Sequence, residues 1–141
     1  YATQEQPNAA DTLHGLLEKL LAPYGDVTGT RISLTGEDTQ VHSKSATPLA
    51  LVFHELATNC AKYGSFSVPH GQVAITTKLE GDNIVIHWAE LGGPPPVETK
   101  GTGFGSRLVE ATVNGQLAGK LTREFGTQGM TAILDVPIAS L

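Results

Sequence analysis

The sequence predicts an α+β sandwich, two layers built from a mixed, largely antiparallel sheet with helices on one face. Three observations carry that expectation. Helix and strand patterns follow one another as helix, strand, helix, hairpin, helix, hairpin. Four of the five strands fall into two pairs, each joined by a short turn. The 141 residues, 40% of them hydrophobic, suit one domain with a single core.

The first element is "DTLHGLLEKLLA", where Leu13, Leu16, Leu17, Leu20 and Leu21 recur at helical spacing and Asp11 stands as N-cap. Pro23 and Gly25 end it. "TRISLTG" (30–36) reads as a short strand. In "TPLALVFHELATNCAKYG", Thr47 is the expected N-cap, Pro48 the first helical residue and Gly64 the stop. "QVAITTKL" and "NIVIHWAE" flank Glu80-Gly81-Asp82 as a hairpin. A Gly- and Pro-rich loop (92–105) opens a helix near "SRLVEATVNG". "KLTREF" and "MTAILDVPI", joined by "GTQG", form the second hairpin.

Composition removes several function classes. Net charge is −5 and the basic residues are scattered, so the footprint of nucleic-acid binding is missing. No apolar run approaches the ~20 residues of a membrane span, and no signal-peptide pattern opens the chain. Cys60 is the single cysteine, which excludes an internal disulfide and fits a reducing, cytoplasmic compartment. His14, His42, His54, His70 and His87 show no metal-ligand spacing. The chain begins at Tyr1 without methionine, as a piece cut from something longer would.

The third pattern, "FHELATNCAKYG", holds the first candidate site. At about 100° per residue, Leu49, Val52, Phe53, Leu56, Cys60 and Tyr63 share the core arc. Glu55, Asn59 and Lys62 line one border of it, stacked at i, i+4 and i+7. A solvated flank with a helix ion pair explains such a stripe, and so does a binding edge. His54 lies on the opposite flank and reads as a packed, hydrogen-bonded histidine.

"GTGFG" places Gly101, Gly103 and Gly105 just before a helix start. Converging backbone N–H groups and a helix N-terminus make a phosphate cradle, although many such loops are only turns. The spacing matches neither a Walker loop nor a Rossmann fingerprint. In "HWAELGG", strand alternation puts Ile84, Ile86, Trp88 and Glu90 on one face, so Glu90 points coreward at the strand's end. A carboxylate there requires a donor. The exocyclic amine of adenine would serve, as would a neighbouring Lys or Arg.

"HELATNCAKYG", "WAELGGPPP" and "GTGFGSRLV", in this order and spacing, resemble the ATP-binding domain of HWE-family sensor histidine kinases. These belong to the Bergerat-fold superfamily that includes gyrase and MutL. The resemblance extends through "LAGKLTREFGTQGMTAILDVPI" and covers roughly residues 11 to 138, with His54, Trp88 and Glu90 at the places that name the family. It implies ATP and Mg²⁺ as ligands, with Asn59 on the metal and Lys62 at the phosphates. Glu55 would act on the metal's water shell or, in a hydrolase, on the attacking water. Glu90 would read adenine, followed by Gly92. Gly101, Thr102, Gly103, Phe104 and Gly105 would wrap the phosphates, with Tyr63 and Arg107 as further nucleotide contacts. Met130 stands where many relatives carry threonine.

The resemblance further implies transfer of the γ-phosphoryl group to a histidine on a separate dimerisation domain, and a response regulator downstream. His14 lacks the acidic surroundings of a phosphoacceptor, so the acceptor is expected outside this chain. Residues 1–10 then read as a linker remnant from it, and 1–141 as one catalytic domain. An ATP hydrolase and a non-catalytic nucleotide-binding module like the anti-sigma factors are the competing readings. Only "PPPVETK" separates Gly93 from Gly101, a short lid for a hydrolase.

Overall fold

The computed structural model describes residues 12–25, 27, 29–95 and 104–141. The expected linker remnant (1–10), the Asp11 cap and loop residues Gly101, Thr102 and Gly103 lie outside them. Among the described residues no helix is long and apolar enough to cross a membrane.

Three helices, α1 (Leu13–Leu21), α2 (Ser43–Tyr63) and α3 (Phe104–Gly115), cover one side of a five-stranded sheet. The strands are β1 (Ile32–Gly36), β2 (Gln72–Glu80), β3 (Asn83–Leu91), β4 (Lys120–Phe125) and β5 (Met130–Pro137), in spatial order β1-β2-β3-β5-β4. β1 runs parallel to β2, and the remaining pairs are antiparallel. The mixed, largely antiparallel sheet of the sequence reading is therefore present.

Alternation decides which face is buried. Along β5, Met130, Ala132, Leu134 and Val136 are buried and the intervening residues are not. On β3 the coreward set is Ile84, Ile86, Trp88 and Glu90, as expected. Both hairpins form: Glu80 pairs with Asn83 across Gly81-Asp82, and Phe125 with Met130 across the "GTQG" turn. Gly81 adopts a φ of 60°, which such a two-residue turn favours in glycine.

The helix starts depart from the sequence expectations. Thr12 caps α1, its hydroxyl accepting from the Gly15 N–H at 3.0 Å. α2 begins at Ser43 with His42 as N-cap, so Pro48 lies inside the helix. Tertiary contacts build this extra turn. The Leu141 carbonyl accepts from the His42 backbone N–H at 2.9 Å and lies 2.7 Å from His42 Nδ1. The Ser45 hydroxyl donates to the Ser140 carbonyl at 2.6 Å. Local capping signals at Thr47-Pro48 could not reveal partners a hundred residues away.

His14 also works across the fold. Its Nε2 lies 2.9 Å from the Thr77 hydroxyl and 3.0 Å from the Glu37 carbonyl, joining α1 to the β1–β2 edge.

Arg31 clamps the segment between α2 and β2. Arg31 donates from Nη1 to the Pro69 carbonyl (3.0 Å) and from Nη2 to those of Phe66 (2.8 Å) and Val68 (3.1 Å). Its guanidinium lies 5.3 Å over the Phe66 ring, which stacks on Tyr24 at 5.2 Å. A planar fork of donors suits three carbonyls from one turn, and a lysine cannot reproduce it. Arg31→Met should lower the unfolding free energy by about 2 kcal/mol in urea titration, and Arg31→Lys by about half as much. Arg31→Met matching the parent would show that the clamp contributes nothing.

Candidate nucleotide site

Two polar clusters flank the last turns of α2. On one, the Asn59 side-chain amide donates to Glu55 Oε2 at 3.2 Å, both residues being half-buried. This i,i+4 bond follows from helical spacing alone. It turns the amide nitrogen toward Glu55 and leaves the amide oxygen as the acceptor. Lys62, one turn further, is exposed.

The start of α3 lies against this pair. A Cβ built on Gly105 would come within 2.7 and 2.8 Å of the two Glu55 carboxylate oxygens. Gly105 was expected in the loop but is helical, because α3 begins at Phe104. Its lack of a side chain lets the first helical turn approach Glu55. The structure thus brings Glu55, Asn59 and Gly105 together. Arg107, one turn along α3, is exposed.

The second cluster surrounds Glu90, 6% exposed at the end of β3. Its Oε2 accepts from the Trp88 indole N–H at 3.1 Å. The Ser65 backbone N–H and the Cys60 thiol supply further hydrogen bonds. Burial raises the Glu90 carboxyl above the usual carboxylate range, while these bonds and, more weakly, the Arg123 charge oppose the rise. Cys60 is pushed up to about 11 by burial and by Glu90, and its sulfur lies 3.3 Å from the Ser65 hydroxyl.

Glycines let this cluster close. A Cβ on Gly64 would sit 2.0 Å from Glu90 Oε1, and one on Gly129 would sit 2.0 Å from the Glu90 carbonyl oxygen. Gly93 packs on the Ser65 backbone, and Gly92 holds a φ of 74° beside the His70 carbonyl. Sequence reasoning took Gly64 only as a helix stop and missed Ser65 and the indole donor. The Trp-x-Glu alternation was the one available signal for that last contact.

Two expectations fail here. Tyr63 falls on the core arc by periodicity yet is 68% exposed. As the last residue of α2 it stands a turn beyond Cys60, where the core contacts of the helix end. His54 is exposed rather than packed, so it fills no place in the core.

No protein-family model matches the chain. The blue-light-activated histidine kinase of Rhizobium johnstonii is 33% identical over 130 residues, which cover 91% of this chain and 37% of that protein. Among solved structures, the Erythrobacter litoralis EL346 blue-light activated histidine kinase superposes with a TM-score of 0.70 at 19% identity, over 88% of this chain and 40% of that one. The catalytic domain of the histidine kinase ThkA, nucleotide free, gives 0.65 at 16% identity, over 89% of this chain and 93% of that domain.

The chain is a homologue of part of the histidine kinases and has the fold of a histidine kinase catalytic domain. The chain spans between 27% and 38% of the length of the curated relatives it matches. The histidine kinase ThkA has also been solved in complex with the response regulator protein TrrA.

The raised Glu90 carboxyl has a consequence for stability. The native domain keeps this proton at a pH where the unfolded chain, near pH ~4.3, has already lost it. Its contribution to stability is therefore largest on the acid side and declines as pH rises through the native value. Glu90→Gln has no such titration. Across a pH series of thermal melts without nucleotide, the melting temperature of Glu90→Gln minus that of the parent should rise with pH. A constant difference would contradict the raised carboxyl.

Proposed function

We propose that this catalytic domain binds ATP between the two clusters of α2 and delivers the γ-phosphoryl group to a histidine on a separate dimerisation domain. The observation that carries the reading is the pairing of a buried, accepting carboxylate at the end of β3 with the Glu55–Asn59 pair against the first turn of α3. One end suits a base with an exocyclic amine. The other suits phosphates and a hard cation.

Glu90 accepts from the adenine amine, beside the turn at Gly92. A guanine in the same pose sets its carbonyl oxygen against the carboxylate, so ATP is favoured over GTP. Gly101, Thr102, Gly103, Phe104 and Gly105 take the phosphates, with Lys62, Tyr63 and Arg107 alongside. Exposed Lys62 is free to reach outward and neutralise phosphate charge.

The residues present fit Mg²⁺ through oxygen. The Asn59 amide oxygen is available, Glu55 stands behind it, and Gly105 clears space where a side chain would intrude. No group of three or more His, Cys, Asp or Glu gathers among the described residues. A cation bound partly by phosphates and water matches that sparse donor set. Bound there, Mg²⁺ would offset charge on the β- and γ-phosphates.

The transfer forms a bond from an imidazole nitrogen of the acceptor to the γ-phosphorus and breaks the bond to the bridging oxygen, which leaves with ADP. The protein contributes positioning and charge neutralisation, the main sources of catalysis in such transfers. That His14 is engaged between α1 and the β1–β2 edge supports an acceptor histidine on another domain. A response regulator receives the phosphoryl group next, and the setting is cytoplasmic.

Asn59→Ala should weaken ATP binding by about tenfold with Mg²⁺ present. The same variant should match the parent in Mg²⁺-free buffer and in melting without ligand. Equal calorimetric affinity for ATP with Mg²⁺ would remove Asn59 from the metal. For the reaction itself, γ-labelled ATP should leave the isolated chain unlabelled and give acid-labile, base-stable phosphohistidine when a separate acceptor hairpin is added. Label on His14, or rapid phosphate release by the chain alone, would overturn the proposed transfer.

A further inference from the structure

We infer that Trp88 is a positioning residue for base recognition, its indole N–H holding the Glu90 carboxylate in the orientation that meets the base. The inference rests on the proposed reading of Glu90 as the group that contacts adenine.

The two residues lie two apart on β3 and so share its core face. Both are buried, Trp88 at 1% and Glu90 at 6% exposed, and Nε1 lies 3.1 Å from Oε2. The indole has one donor and no acceptor, so once buried it requires an acceptor. Glu90 is that acceptor. The contact restrains the carboxylate through Oε2, while Oε1 lies where Gly64 leaves room for no side chain.

Packing alone does not call for this residue type. Trp88 also touches Phe53, with ring centroids 6.4 Å apart, and a phenylalanine could fill much of that space without a donor. The N–H is what tryptophan adds. A carboxylate offers about four lone-pair positions. The indole addresses it through Oε2, with Ser65 and Cys60 beside it, leaving capacity for a further donor such as an exocyclic amine. The charged or titratable groups facing Glu90 among the described residues are Cys60 from α2 and Arg123 from β4. Neither is a close cationic partner that would hold the carboxylate in place of the indole.

The indole bond also favours the charged carboxylate, the form that accepts from an amine without a proton in the way. Removing the donor should let Glu90 take up a proton at higher pH. Core packing alone predicts no such change.

The test measures ATP and GTP affinity of the 141-residue chain over a pH series for the parent, Trp88→Phe and Glu90→Gln. Both nucleotides titrate identically in all three, so displacement of one curve from another reports the protein. The parent should favour ATP over GTP by about tenfold or more and lose that preference as pH falls. In Trp88→Phe, ATP affinity at neutral pH should drop by about tenfold, and the pH of half-loss should move upward by about one unit. Replacing Trp88 with β-3-benzothienylalanine, which keeps the bicyclic shape and lacks the N–H, should do the same and serves if Trp88→Phe does not fold. A parent-like pH midpoint and ATP-to-GTP ratio in either variant would overturn the positioning role, leaving Trp88 as packing. Glu90→Gln indistinguishable from the parent in affinity and pH profile would overturn the base-reading role of Glu90 itself, and the inference with it.

Discussion

One buried carboxylate governs how this domain is put together. Glu90 sits on the core face of the strand at the sheet's centre, where an unsatisfied charge would cost several kcal/mol. Its donors come from three parts of the chain: the indole two residues earlier, the backbone of Ser65 and the thiol of Cys60. For these to converge, the end of α2 and the segment after it must press onto β3. Arg31 pins that segment through three carbonyls. The carboxylate thus ties helix, loop and sheet into one arrangement.

α2 connects this centre to the opposite cluster. Asn59 and Cys60 are neighbours in sequence, yet one joins Glu55 at the flank and the other faces Glu90. Helical geometry separates adjacent residues by about 100°, so one rigid element can serve both ends of an elongated ligand. A nucleotide, with a flat base and a charged tail, needs such a fixed spacing. The same helix is buried through Val52, Phe53 and Leu56, which keeps that spacing from drifting.

Much of this was written in local patterns. Alternation placed Glu90 coreward, turn residues marked both hairpins, and the i, i+4, i+7 stripe foretold the Glu55–Asn59 contact. What escaped was non-local. The first turn of α2 depends on Ser140 and Leu141, so the Thr47-Pro48 signal was overruled. Tyr63 has the right angle for the core but lies past its end, since periodicity gives direction and not extent. His54 is the exception, since the same periodicity puts it outside the core arc and so marked the exposure it shows. Gly64 has a φ of −109°, an ordinary value, and its need for glycine arises from the nearness of Glu90 and of the Cys60 backbone.

That last feature bears on how the domain could be made more robust. Exchanging glycine for alanine often stabilises a protein by about 0.4–1 kcal/mol, because the unfolded chain loses freedom. At Gly64, Gly93 and Gly105 the gain is closed off, since a methyl group would strike Glu90, Ser65 or Glu55 within 3 Å. At Gly115, the last residue of α3, nothing stands within 4 Å of the added carbon. Room for hardening the molecule against heat therefore lies at the far end of α3, whereas the glycines beside Glu55, Ser65 and Glu90 are fixed by those close contacts. A stabilising exchange at Gly115 would thus leave the packing around Glu55 and Glu90 untouched.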